Sequence, residues 1–429
     1  MLPPFQLDQA INRLVREEWG RILASLIKSV GSMQLAEDVL QDAVEAALVQ
    51  WNEQGIPESP TAWLLKTARN KAIDHLRRRT RFKQLQPELS YLLDLQGQVE
   101  ADGDELSEIP DKRLELLFTC AHPALDQKTR VALTLRAVGG LSTEEIARAF
   151  LDKPSAMAQR LVRARHKLAA AGIAYEVPSV EKLPDRVSGV LAVIYFIFNE
   201  GYSATSGEQL TRHSLSDEAI RLARVLNSLM PEHTETAGLL ALMLLHDSRR
   251  GTRQNAVGGV VPLEHQDRAR WNHHMIDEGI TLLKVTLPKA QVGPYQLQAA
   301  ISAVHAEAST WQMTDWMQIA ALYEVLHQIQ PSPVVRINQA VAVSYAQTPV
   351  VGLAMLDDVA NTSAVVDYQP YRIARADLLF RSGRASLAAE QLRVAIKASD
   401  NDHERVFLQH RLDTEYAKER EVHTTLEKL

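Results

Sequence analysis

The segment LSTEEIARAFLDKPSAMAQRLVRARHKL, residues 141–168, gives the clearest indication of the local fold. Ser142 followed by Glu145 is a capping box, the usual start of a short helix. The letters LDKPS then interrupt the helical spacing and predict a tight turn. A second helix follows, and the apolar residues that we expect it to bury are Met157, Leu161, Val162 and Leu168. Two short helices joined by such a turn predict a helix-turn-helix.

The second of these helices has a polar and basic outer face, which is formed by Gln159, Arg160, Arg163, Arg165 and Lys167. Arginine side chains bind phosphates and the edges of guanine, and glutamine can read the edge of adenine. The face therefore suits duplex DNA. Many helical hairpins present a similar solvated face without a ligand, so this interpretation stays open on the motif alone.

The formal net charge of −6 argues against nucleic-acid binding by the chain as a whole, but the charges are separated locally. Basic residues dominate the ranges 66–83 and 128–167, and acidic residues dominate the range 94–111 between them. This order predicts two polyanion-binding modules joined by a tether that avoids the polyanion. Two solvated helix faces and a loop are the simpler alternative.

Helical spacing of apolar residues continues through most of the chain, without a convincing run of strand alternation. We therefore predict an all-α, multidomain protein. Its expected parts are a helical bundle at 1–83, an acidic linker at 84–110, a helix-turn-helix domain at 111–175, a helical extension at 185–290 and a second helical region at 291–429. Segments beginning at Arg336 and Arg372 resemble each other at nearly the tetratricopeptide period of about 34 residues. Stacked helix pairs fit this region, and an irregular helical domain is the alternative.

Two blocks of sequence lie on either side of the acidic segment. The first contains AEDVLQDAVEAALVQW, the loop GIPESP and the helix PTAWLLKTARNKAIDHLRRRTR, within residues 36–81; the second runs from ALTLRAVGG into the helix-turn-helix, within residues 132–168. The first block resembles the second domain of the extracytoplasmic-function (ECF) sigma factors, and the second block resembles their fourth domain. The blocks occur in the family's order, and the resemblance covers residues 1–173.

The resemblance implies roles for the first block. The helix 36–51 would bind core RNA polymerase, and its polar contacts would be Asp38, Gln41 and Asp42. The segment 55–81 would melt and read the −10 promoter element, and its DNA contacts would be Trp63, Lys66, Arg69, Asn70, Asp74 and Arg77. A separated strand needs stacking partners and a cationic track, which this composition supplies. Trp63 could instead belong to the core, and Asp74 could pair with a neighbouring arginine.

The resemblance also implies that the helix-turn-helix recognises the −35 element as duplex DNA, through Thr143, Gln159, Arg160, Arg163, Arg165 and Lys167. The implied partners are core RNA polymerase and promoter DNA. Initiation factors of this family perform no covalent chemistry, so we expect no catalytic residue, metal or cofactor. The chain has a single cysteine, no secretory signal and no apolar stretch near the roughly 20 residues that span a membrane, which predicts a cytoplasmic protein.

The residues after 173 go beyond a minimal ECF sigma factor. VLAVIYFIFNEGYSAT from Val190, ARWNHHMIDEGITLL from Ala269 and GPYQLQAAISAVHAEA from Gly293 are similar to segments of a subgroup with a helical, tetratricopeptide-like C-terminal region. The role implied for this extension is regulatory. We expect the extension to contact at least one DNA-binding module of the same chain.

Two other function classes compete with this interpretation. A conventional effector-responsive regulator would bind DNA without a stable polymerase contact, but it would have no use for the block 36–81. A metal-dependent enzyme could use a polar cluster in the extension, formed by His273, His274, Asp277 and Glu278 with His305 nearby. His274 and Glu278 have a spacing that can hold a metal, but no third ligand follows from the spacing. A polar helix face is the simpler explanation.

Overall fold

The computed structural model of the chain describes residues 4–82, 111–150, 152–202, 209–255, 261–289, 291–360, 362, 365, 368–399 and 405–414. Within these residues the regular structure is helical and no strand occurs, so the prediction of an all-α fold is confirmed. The acidic segment 84–110, expected to be a linker, lies outside the described residues. The chain divides into two compact units: unit 1 is residues 1–201 with 211–222, and unit 2 is residues 202–210 with 223–429.

Unit 1 begins with a bundle of three helices that pack on one another. They are α1 (Pro4–Val30), α2 (Met33–Gln54) and α3 (Pro60–Phe82). The turn between α1 and α2 places Gly31 at a φ of 67°, which glycine adopts without steric cost. Ser32 then caps α2, because its side chain accepts a hydrogen bond from the backbone N–H of Leu35. Burial of one side of each helix leaves an outer face of α2 and of α3 in solvent.

Four shorter helices form the helix-turn-helix module of unit 1, residues 113–170. They are α4 (Arg113–Cys120), α5 (Gln127–Ala137), α6 (Thr143–Ala149) and α7 (Pro154–Ala170). The expected capping box is present, since Ser142 accepts from the backbone N–H of Glu145 and the Glu145 carboxylate accepts from the backbone N–H of Ser142. The helix-turn-helix geometry predicted from residues 141–168 is therefore observed.

The buried face of α7 differs at one position from the prediction. Met157, Leu161 and Leu168 are buried as expected, but Val162 is 39% exposed. One residue corresponds to a rotation of about 100° on a helix, so Val162 cannot share the direction of Leu161. The small residue Ala164 occupies the inward position instead, and it is 2% exposed.

Unit 1 also contains parts of the next two helices, α8 (Leu183–Tyr202) and α9 (Gln209–Leu229). Arg186 of α8 donates a hydrogen bond to the backbone carbonyl of Phe118 in α4. Arg221 of α9 donates to the carbonyl of Val138 at 3.2 Å and also pairs with the buried carboxylate of Glu218 at 2.6 Å. These bonds attach α8 and α9 to the helix-turn-helix module within unit 1.

Unit 2 is built from consecutive helices that pack as neighbours. They are α10 (Thr234–Asp247), α11 (His273–Thr286), α12 (Pro294–Glu307), α13 (Trp316–Ile329), α14 (Pro333–Ala346), α15 (Pro349–Val359), α16 (Gln369–Arg381) and α17 (Ala385–Ala398). Proline in the first turn begins α12, α14, α15 and α16, where its missing N–H has no helical partner to lose. The packing of neighbouring helices fits the expected stacked helix pairs, and the repeat period itself stays a prediction.

The contact between α10 and α12 requires a glycine. A Cβ on Gly238 would lie 2.6 Å from Cγ and 2.8 Å from the backbone nitrogen of Gln296. Gln296 is fully buried, and its side chain caps α12 by accepting from the backbone N–H of Gly293 at 3.1 Å. Because this cap fixes Gln296, the start of α12 cannot move away without losing a buried hydrogen bond.

We expect Gly238→Ala to lower the free energy of unfolding of unit 2 by about 1–2 kcal/mol. Overpacking costs about 1–3 kcal/mol and outweighs the better helix propensity of alanine, about 1 kcal/mol. Urea unfolding of the full chain, followed by circular dichroism, measures the change. Gly251→Ala is the matched control, since no atom lies within 4 Å of a Cβ at that position. Equal stability of the two variants would contradict this account of the α10–α12 contact.

Candidate nucleic-acid interface

A polar stripe runs along the outer face of α3. Its residues are Lys66, Asn70, Asp74 and Arg77, all of which are exposed. They follow one another at three- or four-residue intervals, so they lie above one another on the helix. Four of the six residues predicted to contact the −10 element therefore share one continuous surface.

The other two predicted contacts on α3 have different surroundings. Trp63 is half-buried and packs edge-on against Trp51, with ring centroids 5.2 Å apart. The ring of Trp63 is therefore partly in the core and partly accessible at the surface, so its position fits both roles that the sequence left open. Arg69 is only 8% exposed, so its side chain lies inside unit 1 and not on the polar stripe.

The outer face of α2 carries the three residues predicted to bind polymerase. Asp38, Gln41 and Asp42 are all exposed. The opposite side of the helix is buried through Leu35, Ala36, Val39, Leu40, Ala43 and Ala47. The helix thus presents an acidic and polar edge that is free of core packing.

A second polar stripe runs along α7. Gln159, Arg163 and Lys167 are exposed and four residues apart, so they form one line on the helix. Thr143, the first residue of α6, is half-buried beside the capping box. Arg160 is half-buried and pairs with Asp152 in the preceding turn at 3.0 Å. Five of the six predicted −35 contacts are thus exposed or half-buried on the helix-turn-helix. One of these five, Arg160, already has a carboxylate partner.

The sixth predicted −35 contact, Arg165, forms an ion pair with Glu37 of α2. The two side chains are 16% and 5% exposed, so the pair lies almost entirely away from water. Burial raises the pKa of Glu37, and the guanidinium groups of Arg165 and Arg136 oppose this rise. The second carboxylate oxygen, Oε1, has no hydrogen-bond partner among the described residues. Such a pair contributes little net stability, although removing one partner alone is costly.

A second contact joins α1 to the helix-turn-helix module. A Cβ on Gly20 would lie 2.7 Å from the carbonyl oxygen of Val138, so the two backbones approach closely. Arg136 lies over the ring of Trp19 at 5.3 Å and donates to the carbonyl of Leu141 at 3.0 Å. The three-helix bundle and the module are thus packed together inside unit 1.

The sequence analysis did not identify Glu37, Trp19 or Arg136 as interface residues. A signal existed for Glu37, because it lies three residues before Leu40 on the otherwise apolar face of α2. A charged residue at a buried helical position requires a partner. Nothing in the local sequence points to Arg165, which is far away along the chain.

The residues of the candidate metal cluster do not form a metal-binding group in the part of the chain that the structure describes. His273 and His274 are exposed, and Glu278 is paired with Arg224 at 2.6 Å. No group of three metal-ligating side chains occurs among the described residues.

Cys120 is completely buried, and burial raises the pKa of its thiol. None of the described helices combines the length and apolar character that a membrane crossing requires.

The bundle and the helix-turn-helix module match known families. Residues 14–82 match the model described as Sigma-70 region 2, and residues 115–168 match the model described as Sigma-70, region 4. Residues 186–287 match a family of unknown function, DUF6596. A protein of Rhizobium meliloti (strain 1021), described as uncharacterized, is 42% identical over 393 residues, covering 91% of this chain and 92% of the relative. No solved structure matches the chain.

The chain belongs to the ECF-type sigma factors with a helical C-terminal extension. Regions 2 and 4 occur in the order that promoter recognition requires, and both are helical. The protein is therefore a sigma factor that directs promoter-specific transcription, with core RNA polymerase and promoter DNA as its partners.

We expect Arg165→Ala to destabilise unit 1 by about 3 kcal/mol, because the substitution leaves a buried carboxylate without its cation. The double variant Glu37→Leu with Arg165→Leu should recover most of this loss, since it removes both charges. Hydrogen exchange of amides in α2 and α7 of the full chain measures the effect locally. If the single and double variants exchanged equally fast, the ion pair would not be the contact that holds α7 against α2.

Proposed function

We propose that α2 binds core RNA polymerase through Asp38, Gln41 and Asp42, that α3 binds the −10 element, and that α7 binds the −35 element. One observation supports this assignment most strongly. Exposed polar stripes lie on the two helices that the family assigns to DNA, and a separate exposed edge lies on the helix assigned to polymerase.

The stripe on α3 suits a single DNA strand. Lys66 and Arg77 supply cations for the phosphates, and Asn70 supplies a donor and an acceptor for base edges. The half-buried ring of Trp63 offers a surface for base stacking. Binding of the displaced strand would offset the stacking lost on melting, which is about 1–2 kcal/mol per base-pair step. Arg69 would have to leave its buried position to reach DNA.

The stripe on α7 suits duplex DNA. Arg163 and Lys167 can neutralise phosphates, while Gln159 near the start of the helix can reach a base edge. In a helix-turn-helix the first turns of the second helix enter the major groove. The capping box fixes the first turn of α6, and the packing of α6 on α7 orients the second helix.

Promoter binding requires the two modules of unit 1 to separate. The −10 and −35 elements lie about 25 base pairs apart, or about 85 Å along B-form DNA. The bundle and the module cannot span that distance while Glu37 and Arg165 remain in contact. A fully extended chain as long as 84–110 reaches about 90–97 Å, so it permits the separation. Release of Arg165 from Glu37 would then free a cation for DNA.

We assign a regulatory role to the extension, exerted through contact with the DNA-binding modules. The bonds from Arg186 to Phe118 and from Arg221 to Val138 support this role, because they tie α8 and α9 to the −35 module. The extension is not assigned a reaction of its own, and polymerase supplies catalysis. Since promoter DNA and polymerase are cytoplasmic in bacteria, the protein acts in the cytoplasm.

Variants of the exposed faces should separate polymerase binding from promoter recognition. In transcription with sigma-free core polymerase on the DNA upstream of the protein's own gene, the variant Asp38→Ala, Gln41→Ala, Asp42→Ala should lose core binding and initiation together. The variant Gln159→Ala, Arg163→Ala should keep core binding and lose initiation by about 10-fold or more, as expected for two lost DNA contacts.

The matched control for both variants is Glu45→Ala, which lies exposed on α2 outside the proposed contacts. A wild-type protein that fails to bind core polymerase would contradict the assignment. DNA binding without core binding would favour the conventional regulator instead.

Arg221→Ala should lower the local stability of the helix-turn-helix module, because it removes the bond to Val138 and leaves the buried carboxylate of Glu218 unpaired. We expect amides of residues 130–141 to exchange at least about 10-fold faster, the effect of about 1.4 kcal/mol. Arg224→Ala on the same helix is the control, since Arg224 is largely exposed and pairs with Glu278. Unchanged exchange in Arg221→Ala would show that α9 does not support the module.

A further inference from the structure

Unit 2 concentrates arginine side chains at the C-terminal end of α10. The cluster consists of Arg249, Arg250, Arg253 and Arg268. Arg249 and Arg268 both lie over the ring of Trp271, at 6.0 Å and 5.1 Å from its centroid. Arg249 and Arg253 both contact Tyr202: one donates to the phenol oxygen at 3.1 Å, and the other lies 3.5 Å from the ring centroid. Three of these cations, Arg249, Arg253 and Arg268, therefore form one group around two aromatic rings.

Two of the four arginines have their donors satisfied by protein groups. Arg250 forms an ion pair with Asp247 at 2.7 Å. Arg268 donates to the backbone carbonyls of His305 and Ala308, both at 2.6 Å, and to the hydroxyl of Thr314 at 3.3 Å. These arrangements explain both side chains as structural.

Arg249 and Arg253 have fewer polar partners among the described residues than Arg268 has. Each makes one hydrogen bond with a described residue, to the Tyr202 hydroxyl and the Tyr202 carbonyl respectively. No carboxylate of the described residues forms an ion pair with either one. A guanidinium has several N–H donors, so most donors of this pair have no acceptor among the described residues. Both side chains are only partly exposed, which limits their access to water.

The titratable groups around Arg249 and Arg253 show the effect of this concentrated positive charge. Burial lowers the pKa of Arg253, and the positive charge of Arg249 lowers it further. Burial also lowers the pKa of His246 to about 3 and that of His305 to about 4, with Arg249 the next cause in both cases. Both imidazoles are therefore neutral at pH 7, and they add no charge of their own. Asp247 opposes the cluster but is already paired with Arg250.

The helix terminus alone does not account for this charge. The C-terminal end of a helix carries about half a negative charge, which attracts one cation weakly. Here three further cations, Arg249, Arg253 and Arg268, are present besides the Arg250–Asp247 ion pair. Partly buried cations that form no ion pair with a described carboxylate favour a counterion from solution.

We propose that Arg249 and Arg253 bind the oxyanion group, a carboxylate or a phosphate, of a small ligand beside Tyr202. Paired guanidinium groups match both oxyanions through parallel N–H···O bonds. The partial burial of both arginines favours a small ligand over a flat macromolecular surface. Such a ligand would act on the extension, and none of its binding residues is among those proposed to contact promoter or polymerase.

Direct binding to the full chain tests the site. The probes are inorganic phosphate and acetate, titrated at constant ionic strength with sodium chloride, and the readouts are calorimetry and the thermal unfolding midpoint. We expect saturable binding of at least one probe. Saturation by phosphate alone identifies a phosphate ligand, and saturation by acetate alone identifies a carboxylate. Arg249→Gln with Arg253→Gln should weaken binding about 10- to 100-fold.

Three controls keep the test decisive. Arg384→Gln removes an exposed arginine elsewhere in unit 2 and should bind as the wild type does. Without added anion at low salt, the double variant should unfold at the wild-type temperature or above it, because repulsion between cations is removed. Arg249→Lys keeps the charge but not the paired donors, so about 10-fold weaker binding is expected even where the double variant loses its fold. Wild-type affinity in the double variant or in Arg249→Lys, or no saturable binding of either probe, would overturn the proposal.

Discussion

The buried ion pair between Glu37 and Arg165 is a specific constraint on the arrangement of unit 1. It joins the helix assigned to polymerase to the helix assigned to the −35 element, two segments that are distant along the chain. One carboxylate oxygen has no partner among the described residues, and burial raises the pKa of Glu37. A contact of this kind specifies a geometry at little net gain in stability. It is therefore suited to the arrangement that we propose opens when the factor binds a promoter.

The two units place their cationic side chains in different environments. In unit 1, Lys66, Arg77, Arg163 and Lys167, which we propose bind DNA, are exposed on α3 and α7, and the largely buried Arg165 has the carboxylate of Glu37 opposite it. In unit 2 Arg249 and Arg253 are partly buried and form no ion pair with a carboxylate of the described residues. The net charge of −6 hides both features, because acidic residues elsewhere outnumber the basic ones. Local placement of charge, and not its total, relates this sequence to its function.

Local features of the sequence predicted the helices, the capping box at Ser142 and Glu145 and the exposed faces of α2, α3 and α7, because these follow from helical spacing. Spacing did not predict the burial of Arg69 or the exposure of Val162, since neighbours from other helices decide them. The partner of Glu37 and the arginine cluster around Tyr202 depend on tertiary contacts alone. The assignment of regions 2 and 4 came from resemblance and was confirmed by the family matches.

A distance measurement between α2 and α7 tests the central claim most directly. Spin labels on Glu45→Cys and His166→Cys, both exposed positions, report the separation by pulsed electron resonance. The native Cys120 is buried with a raised pKa, so it should not take up label. The account predicts one narrow, short distance in the free protein, and a distance longer by tens of ångströms when core polymerase and promoter DNA are bound. A broad distribution in the free protein, or a distance unchanged by polymerase and promoter, would contradict it.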